Sequence, residues 1–215
     1  MKDIAIFGAG GFGREIACLI KRINKKHPNT WNFIGFFDDD EGIWGTKNEY
    51  GKVLGGKEKL NAWNNALALV ITIGNPQVLH KIVDGITNHN IYYPNMIDPT
   101  VDFLDPDNVR MGKGNVICAK SFVSCNVEMG DFNLYNVGDG IGHDSSIGNY
   151  NVIMPNVNIS GGVQIGDENM LGVKATVLQY LKIGNQVRLG AGAVLLTKAK
   201  DNCTYLGNPA KLFKF

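Results

Sequence analysis

Every sixth residue from Met111 to Leu195 is large and apolar, without a break. In eight of these fifteen repeats the next residue is glycine, as at Gly130, Gly148 and Gly166. The residue two places before is small or β-branched, or else Leu, Asn or Asp. Six residues suit a short strand plus a tight corner. One Val, Ile or Leu per strand then points inward and stacks on its equivalent in the next turn of chain. Glycine and asparagine tolerate the backbone conformations that corners need. Three strands per turn make an 18-residue coil, so the run from Val109 to Lys198 predicts about five coils, a prism roughly 24 Å long at ~4.8 Å between strands. An amphipathic helix would need apolar positions at i, i+3, i+4 and i+7 and far fewer glycines.

Residues 1–95 follow a different pattern. Apolar runs at 4–7, 33–37 and 67–73 end in Gly or Asp and alternate with helical stretches at about 14–24, 57–64 and 77–88. Strand–helix alternation predicts a small parallel sheet of three or four strands with helices packed on it. Two domains are expected: residues 1–95, a small Rossmann-like α/β half, and residues 96–215, an all-β parallel β-helix with a C-terminal tail.

Composition narrows the function classes. Apolar residues make up 44% of the 215 and charged residues only 19%, enough for two cores and too few charges for a disordered chain. Net charge is +1 with no Lys/Arg run, which argues against a nucleic-acid partner. No apolar run approaches the length of a membrane span, and Met1-Lys2-Asp3 does not read as a signal peptide, so a cytoplasmic protein is expected. Cys18, Cys118, Cys125 and Cys203 form no CxxC pair, so reduced thiols are expected and no metal site.

Gly8-Ala9-Gly10-Gly11-Phe12-Gly13 matches GxGxxG between a predicted strand and a predicted helix, the setting in which a helix N-terminus holds phosphate. Asp38 or Asp39, ending the second strand, would accept hydrogen bonds from a ribose or a base edge. A nucleotide or nucleotide-sugar, NAD and a purely structural turn all remain open, although 95 residues supply only about half of a dinucleotide-binding domain.

This glycine-rich half followed by an unbroken hexapeptide run resembles the hexapeptide-repeat sugar acetyltransferases of the sialic-acid O-acetyltransferase type, which include enzymes that N-acetylate UDP-linked 4-amino sugars. Its marks are Phe7–Gly13, Phe37-Asp38-Asp39, Ile73-Gly74-Asn75, Asn136 with Ile141-Gly142-His143-Asp144, and a closing Gly207-Asn208-Pro209-Ala210-Lys211. The resemblance implies a left-handed β-helix, a homotrimer, and acetyl-CoA as co-substrate in the groove between neighbouring prisms, with no metal. It implies His143 as general base and Asp144 as the acid that orients it. Gly10, Gly11, Phe12, Asp38, Asp39 and Gly74 would face the nucleotide-sugar, and Asn136 the sugar itself. Val152, Gly161, Val173 and Ala191 would line the acetyl-CoA groove. Three places depart from the family's pattern: Gly138-Asp139-Gly140, Asp144 where several relatives have Glu, and Lys174 where a small residue is common.

The chemistry agrees with the residues. His143 is the only histidine inside the repeat run. A thioester is already activated, so the acceptor needs only a base, and neutral imidazole suits that task near pH 7. Direct transfer is expected, with Cys118 and Cys125 as wall residues. The expected function is acetyl transfer from acetyl-CoA to an amino group of a nucleotide-linked sugar. The alternatives are O-acetylation of a sialic-acid-like hydroxyl and a non-catalytic scaffold.

Overall fold

The computed structural model describes residues 1–213. The N-terminal part is one parallel sheet with three helices. Its elements are β1 (Lys2–Phe7), α1 (Gly11–Lys26), β2 (Trp31–Phe37), β3 (Val53–Gly55), α2 (Lys57–Asn61), β4 (Leu67–Ile71), α3 (Pro76–Asp84) and β5 (Ile91–Tyr92). The strand order is β3-β2-β1-β4-β5, so five strands replace the three or four expected. The additional strands β3 and β5 are three and two residues long. β1 and β4 lie inside the sheet, and each is buried along most or all of its length, as a strand covered on both faces must be.

From Met96 onward the chain winds into a parallel β-helix. Two-residue strands recur every six residues and pair with the strand 18 residues on, as in Leu134-Tyr135 with Val152-Ile153 and Gly140-Ile141 with Asn158-Ile159. They build three sheets, one per face of the prism. The periodic apolar residue is buried on the axis: Ile117, Tyr135, Ile153, Leu171 and Leu189 stack along one face. The residue two places before it is also buried in most coils, and there it is small, β-branched, asparagine at four places or, once, aspartate. The β-helix begins two strands before the unbroken repeat, at Met96-Ile97 and Asp102-Phe103; a short 3₁₀ turn at Pro106–Asn108 interrupts the six-residue spacing there.

Each corner contains one left-handed residue. From Gly114 to Gly192 every sixth residue has positive φ, including Lys120 (61°), Phe132 (55°), Asp144 (58°) and Tyr150 (57°). For a non-glycine residue this costs on the order of 1–2 kcal/mol, and side-chain ladders at the corners offset it. Asn115, Asn133, Asn151 and Asn169 are all 0% exposed and stack one above another. The Asn133, Asn151 and Asn169 amides donate to the Oδ1 of the asparagine before (2.9–3.1 Å), and those of Asn133 and Asn151 also donate to Gly148 O and Gly166 O.

The two parts share a core. Val116, Leu134 and Val152 point outward from one face of the prism, yet they are buried against the N-terminal part. Two polar contacts flank that seam. Arg22 on α1 donates Nε–H to Asp98 Oδ2 (2.6 Å) and a terminal N–H to Oδ1 (2.9 Å). His80 on α3 lies 2.7 Å from Glu168 Oε1 and stacks on Tyr150, with ring centroids 4.0 Å apart. Among the described residues no helix is long and apolar enough to cross a membrane.

Candidate active site

The glycine-rich loop joins β1 to α1. A Cβ at Gly13 would collide with the Gly8 carbonyl, and Gly8 itself has φ +108°, so these two glycines let the helix close onto the strand. Gly10 and Gly74 differ: a Cβ on either would meet nothing within 4 Å. They border open space at the N-terminus of the 16-residue helix α1, where a ligand phosphate would find free N–H groups and the positive end of the helix dipole.

The two aspartates are largely occupied by the protein. Asp38 accepts from Ala9 N–H (2.8 Å) and Asp40 N–H (3.0 Å), which fixes the glycine loop against β2. Asp39 accepts from Lys57 N–H (2.8 Å) at the start of α2. Asp39 lines a separate shallow pocket with Trp44, Gly56 and Lys57.

A cavity of about 160 Å³ lies between the two parts, lined by Phe12, Glu15, Gly74, Asn136, Val152 and Met154. It joins Gly74 and Phe12 of the N-terminal part to Asn136 on the β-helix. Glu15 was not expected from the sequence. The available signal was its spacing, since positions 12 and 15 share one face of the helix that follows the glycine loop. Asn136 Oδ1 is satisfied by Val137 N–H (2.8 Å), and its Nδ2 has no partner among the described residues. Ser121 donates to the Asn136 carbonyl (3.1 Å). Behind Asn136, Cys118 is pushed up to about 12 by burial and by the carboxylates of Glu15, Asp139 and Asp98. It is a protonated wall residue, as its place in the repeat suggested.

His143 stands on the next corner of the same coil, beyond the strand Gly140-Ile141. Its Nδ1 lies 2.7 Å from Asp144 Oδ2, and both side chains are about half exposed. Asp144 Oδ1 accepts from Asn126 Nδ2 (2.7 Å), one coil earlier. That bond, together with the hydrogen bond from His143, holds the Asp144 carboxyl below its ordinary range. A carboxylate on Nδ1 fixes the tautomer with the proton there and leaves Nε2 as the nitrogen with a free lone pair. The ring lies over Gly161, where any Cβ would strike Nε2. The Gly161 N–H has no partner among the described residues.

Within one chain these residues form two groups. Gly161 stacks under His143 on one edge of the prism. Val173 and Ala191 continue the edge that carries Asn136 and Val137. Val152 is buried at the seam and lines the interdomain cavity. His143 is not among the residues that line that cavity.

Residues 3–86 match the PglD N-terminal domain family. No curated protein sequence matches the chain. Among solved structures, the acetyltransferase domain of PglB from Neisseria gonorrhoeae, in complex with acetyl coenzyme A, is 26% identical, with a TM-score of 0.87 over 99% of each chain. WeeI from Acinetobacter baumannii is also 26% identical, with a TM-score of 0.87 over 99% of this chain and 100% of the other. PerB from Caulobacter crescentus, solved with CoA and GDP-perosamine, is 24% identical and shares the fold, with a TM-score of 0.86 over 100% and 98%. The resemblance read from the motifs is borne out: residues 3–86 match the PglD N-terminal domain and, over nearly its whole length, the chain has the architecture of the PglB acetyltransferase domain and of WeeI.

Proposed function

We propose that this chain is an acyltransferase that moves the acetyl group of acetyl-CoA to an amino group of a nucleotide-linked sugar, with His143 as general base. One observation carries the reading: an imidazole whose Nδ1 is held by a carboxylate, with its Nε2 edge beside an unpaired backbone N–H, on a chain that matches the PglB acetyltransferase domain from end to end. His143 Nε2 takes the proton from the acceptor amine as its nitrogen attacks the thioester carbonyl. The Gly161 N–H is placed to receive the oxyanion. The C–S bond then breaks, and the leaving thiolate recovers the proton from His143. Asp144 stabilises the transient imidazolium.

The nucleotide-sugar is read onto the N-terminal part, with its phosphates at Gly10 and Gly11 and its sugar reaching Asn136. His143 lies on another edge of the prism, so the full site needs the Asn136 edge of one copy beside the His143 edge of another. This favours a homotrimer with acetyl-CoA between prisms. An enzyme that draws on acetyl-CoA fits the cytoplasm.

A mass-spectrometric screen of nucleotide-linked amino sugars with acetyl-CoA tests the reading; the expected product is one acetyl group heavier than its acceptor. His143→Ala is expected to lower kcat by about 10²–10⁴ with the oligomer intact. Full turnover by that variant would remove the mechanism. A product from free sialic acid alone would move the acceptor to a hydroxyl.

A further inference from the structure

Asp139 is 1% exposed, inside the wall of the prism, on the coil that carries Asn136 and His143. Positions 18 residues apart share its place: Ser121 one coil before, then Val157, Ala175 and Ala193 after it. A carboxyl in that column is therefore exceptional. Asp139 Oδ1 accepts from Val157 N–H (2.9 Å), while Oδ2 has no partner among the described residues. The nearby hydroxyl of Tyr135, fully buried on the axis, likewise has no partner.

Comparison between coils shows what the carboxyl does. The N–H groups of Ala175 and Ala193 donate to carbonyls three residues back, Gly172 O and Gly190 O. Val157 N–H, in the same place, depends on Asp139 instead. Asp139 also lies between Gly138 (φ +75°) and Gly140. A turn flanked by two glycines loses more backbone freedom on folding than its neighbours and needs an anchor. Ser121 holds the Asn136 carbonyl from the coil before, and Asp139 ties the other end of the turn to the coil after.

We propose that Asp139 is a positioning residue for the acceptor sugar: its buried carboxyl anchors the glycine-flanked turn that presents Asn136 to the interdomain cavity. The proposal rests on the acetyltransferase reading for its acceptor and on the structure alone for its anchor. Burial pushes the Asp139 carboxyl up to about 8, against the amides of Val157 and Asn136, which pull it down. Near neutral pH it is therefore an uncharged anchor. Tyr135 and Cys118 are the titratable groups beside it.

The test compares Asp139→Ala and Asp139→Asn. Alanine already stands at two places in this column, so the first variant suits the coil; Asp139→Ser, which repeats Ser121, serves if it does not fold. Hydrogen exchange of residues 136–141 is read without ligand. Steady-state kinetics use acetyl-CoA with GDP-perosamine and with a UDP-linked 4-amino sugar as acceptor probes. Asp139→Ala is expected to speed exchange in that segment and to raise the acceptor KM roughly tenfold, with the acetyl-CoA KM and kcat within about twofold. Asp139→Asn keeps an oxygen for Val157 N–H and should match the parent. Unchanged exchange in Asp139→Ala overturns the anchor. Equal rises in both KM values, or an Asn variant as impaired as the Ala variant, overturn the positioning role. If the parent turns over neither probe, acetylation of these sugars fails, while exchange still decides the anchor.

Discussion

His143 has one ring nitrogen committed and one free, and its neighbours enforce the difference. Asp144 takes Nδ1, and the lack of a side chain at Gly161 leaves room for the ring edge that carries Nε2. Gly161→Ala should therefore turn the imidazole away and lower kcat about 10- to 100-fold, with unchanged circular dichroism; wild-type turnover would show that the ring has another resting place. Asp139 makes a separate prediction through its raised pKa. Burial lifts the folded value from 3.8 to about 8, so the folded chain binds a proton that the unfolded chain has lost. Its contribution is complete below about pH 4 and is lost as pH rises towards 8. Asn cannot ionise, so the melting temperature of Asp139→Asn should gain on the parent steadily between those limits, and a constant difference would contradict the buried, protonated carboxyl. His143 was legible in the sequence because no other histidine falls within the repeat. Glu15 was not, because a lone carboxylate in a first helical turn is ordinary until a second domain closes over it.

At the level of the element, the coil is specified twice, by apolar residues on its axis and by amides at its corners. The six-residue apolar spacing was plain in the sequence. The asparagine ladder is spaced by 18 residues, three repeats apart, and so reads locally as corner chemistry. Asn151 occupies an inner place in that ladder: it donates to Asn133 Oδ1 and Gly166 O and accepts from Asn169. Asn151→Ala would leave several buried partners unsatisfied, at about 1–3 kcal/mol each. Urea unfolding should show a loss of at least about 3 kcal/mol, and a loss below about 1 kcal/mol would mean that water replaces the amide. Elements that escaped the sequence did so for local reasons. β3 lies within the glycine-rich stretch after Asp40, and β5 is only two residues long. The first coil is hidden by the turn at Pro106–Asn108, which shifts its register. The helix expected over 77–88 stops at Asp84 because Gly85 follows.

Across the whole molecule, the seam between the parts was written in the sequence as a second apolar periodicity. Most strands of the β-helix pair a polar outward residue with an apolar inward one, as in Glu128-Met129, Gln164-Ile165 and Lys182-Ile183. Val116-Ile117, Leu134-Tyr135 and Val152-Ile153 are apolar at both places and recur every 18 residues, which marks one face of the prism as covered. Apolar burial supplies attraction without direction, so the orientation of the cavity depends on polar contacts at its margins. Arg22 and Asp98 form the better placed of these. Asp98 is buried beside a half-exposed Arg22, and although burial raises its pKa, the bonds from Arg22 and Thr100 prevail and hold it below its ordinary value. A depressed carboxyl contributes stability that is present above the unfolded value of 3.8 and lost as pH falls through the lower folded value. Arg22→Ala would leave a buried carboxylate with only Thr100, at a cost of about 1–3 kcal/mol at neutral pH. If the proposed nucleotide-sugar site is right, the variant should also weaken nucleotide-sugar binding by loosening α1 over the cavity, while acetyl-CoA binding, proposed for the prism edges, is retained. The stability gap between parent and variant should narrow as pH falls below 3.8 and close once pH has passed through the lower folded value of Asp98, where the protonated carboxyl no longer needs its partner; a gap that did not change with pH would mean that Arg22 holds the seam by packing rather than by charge.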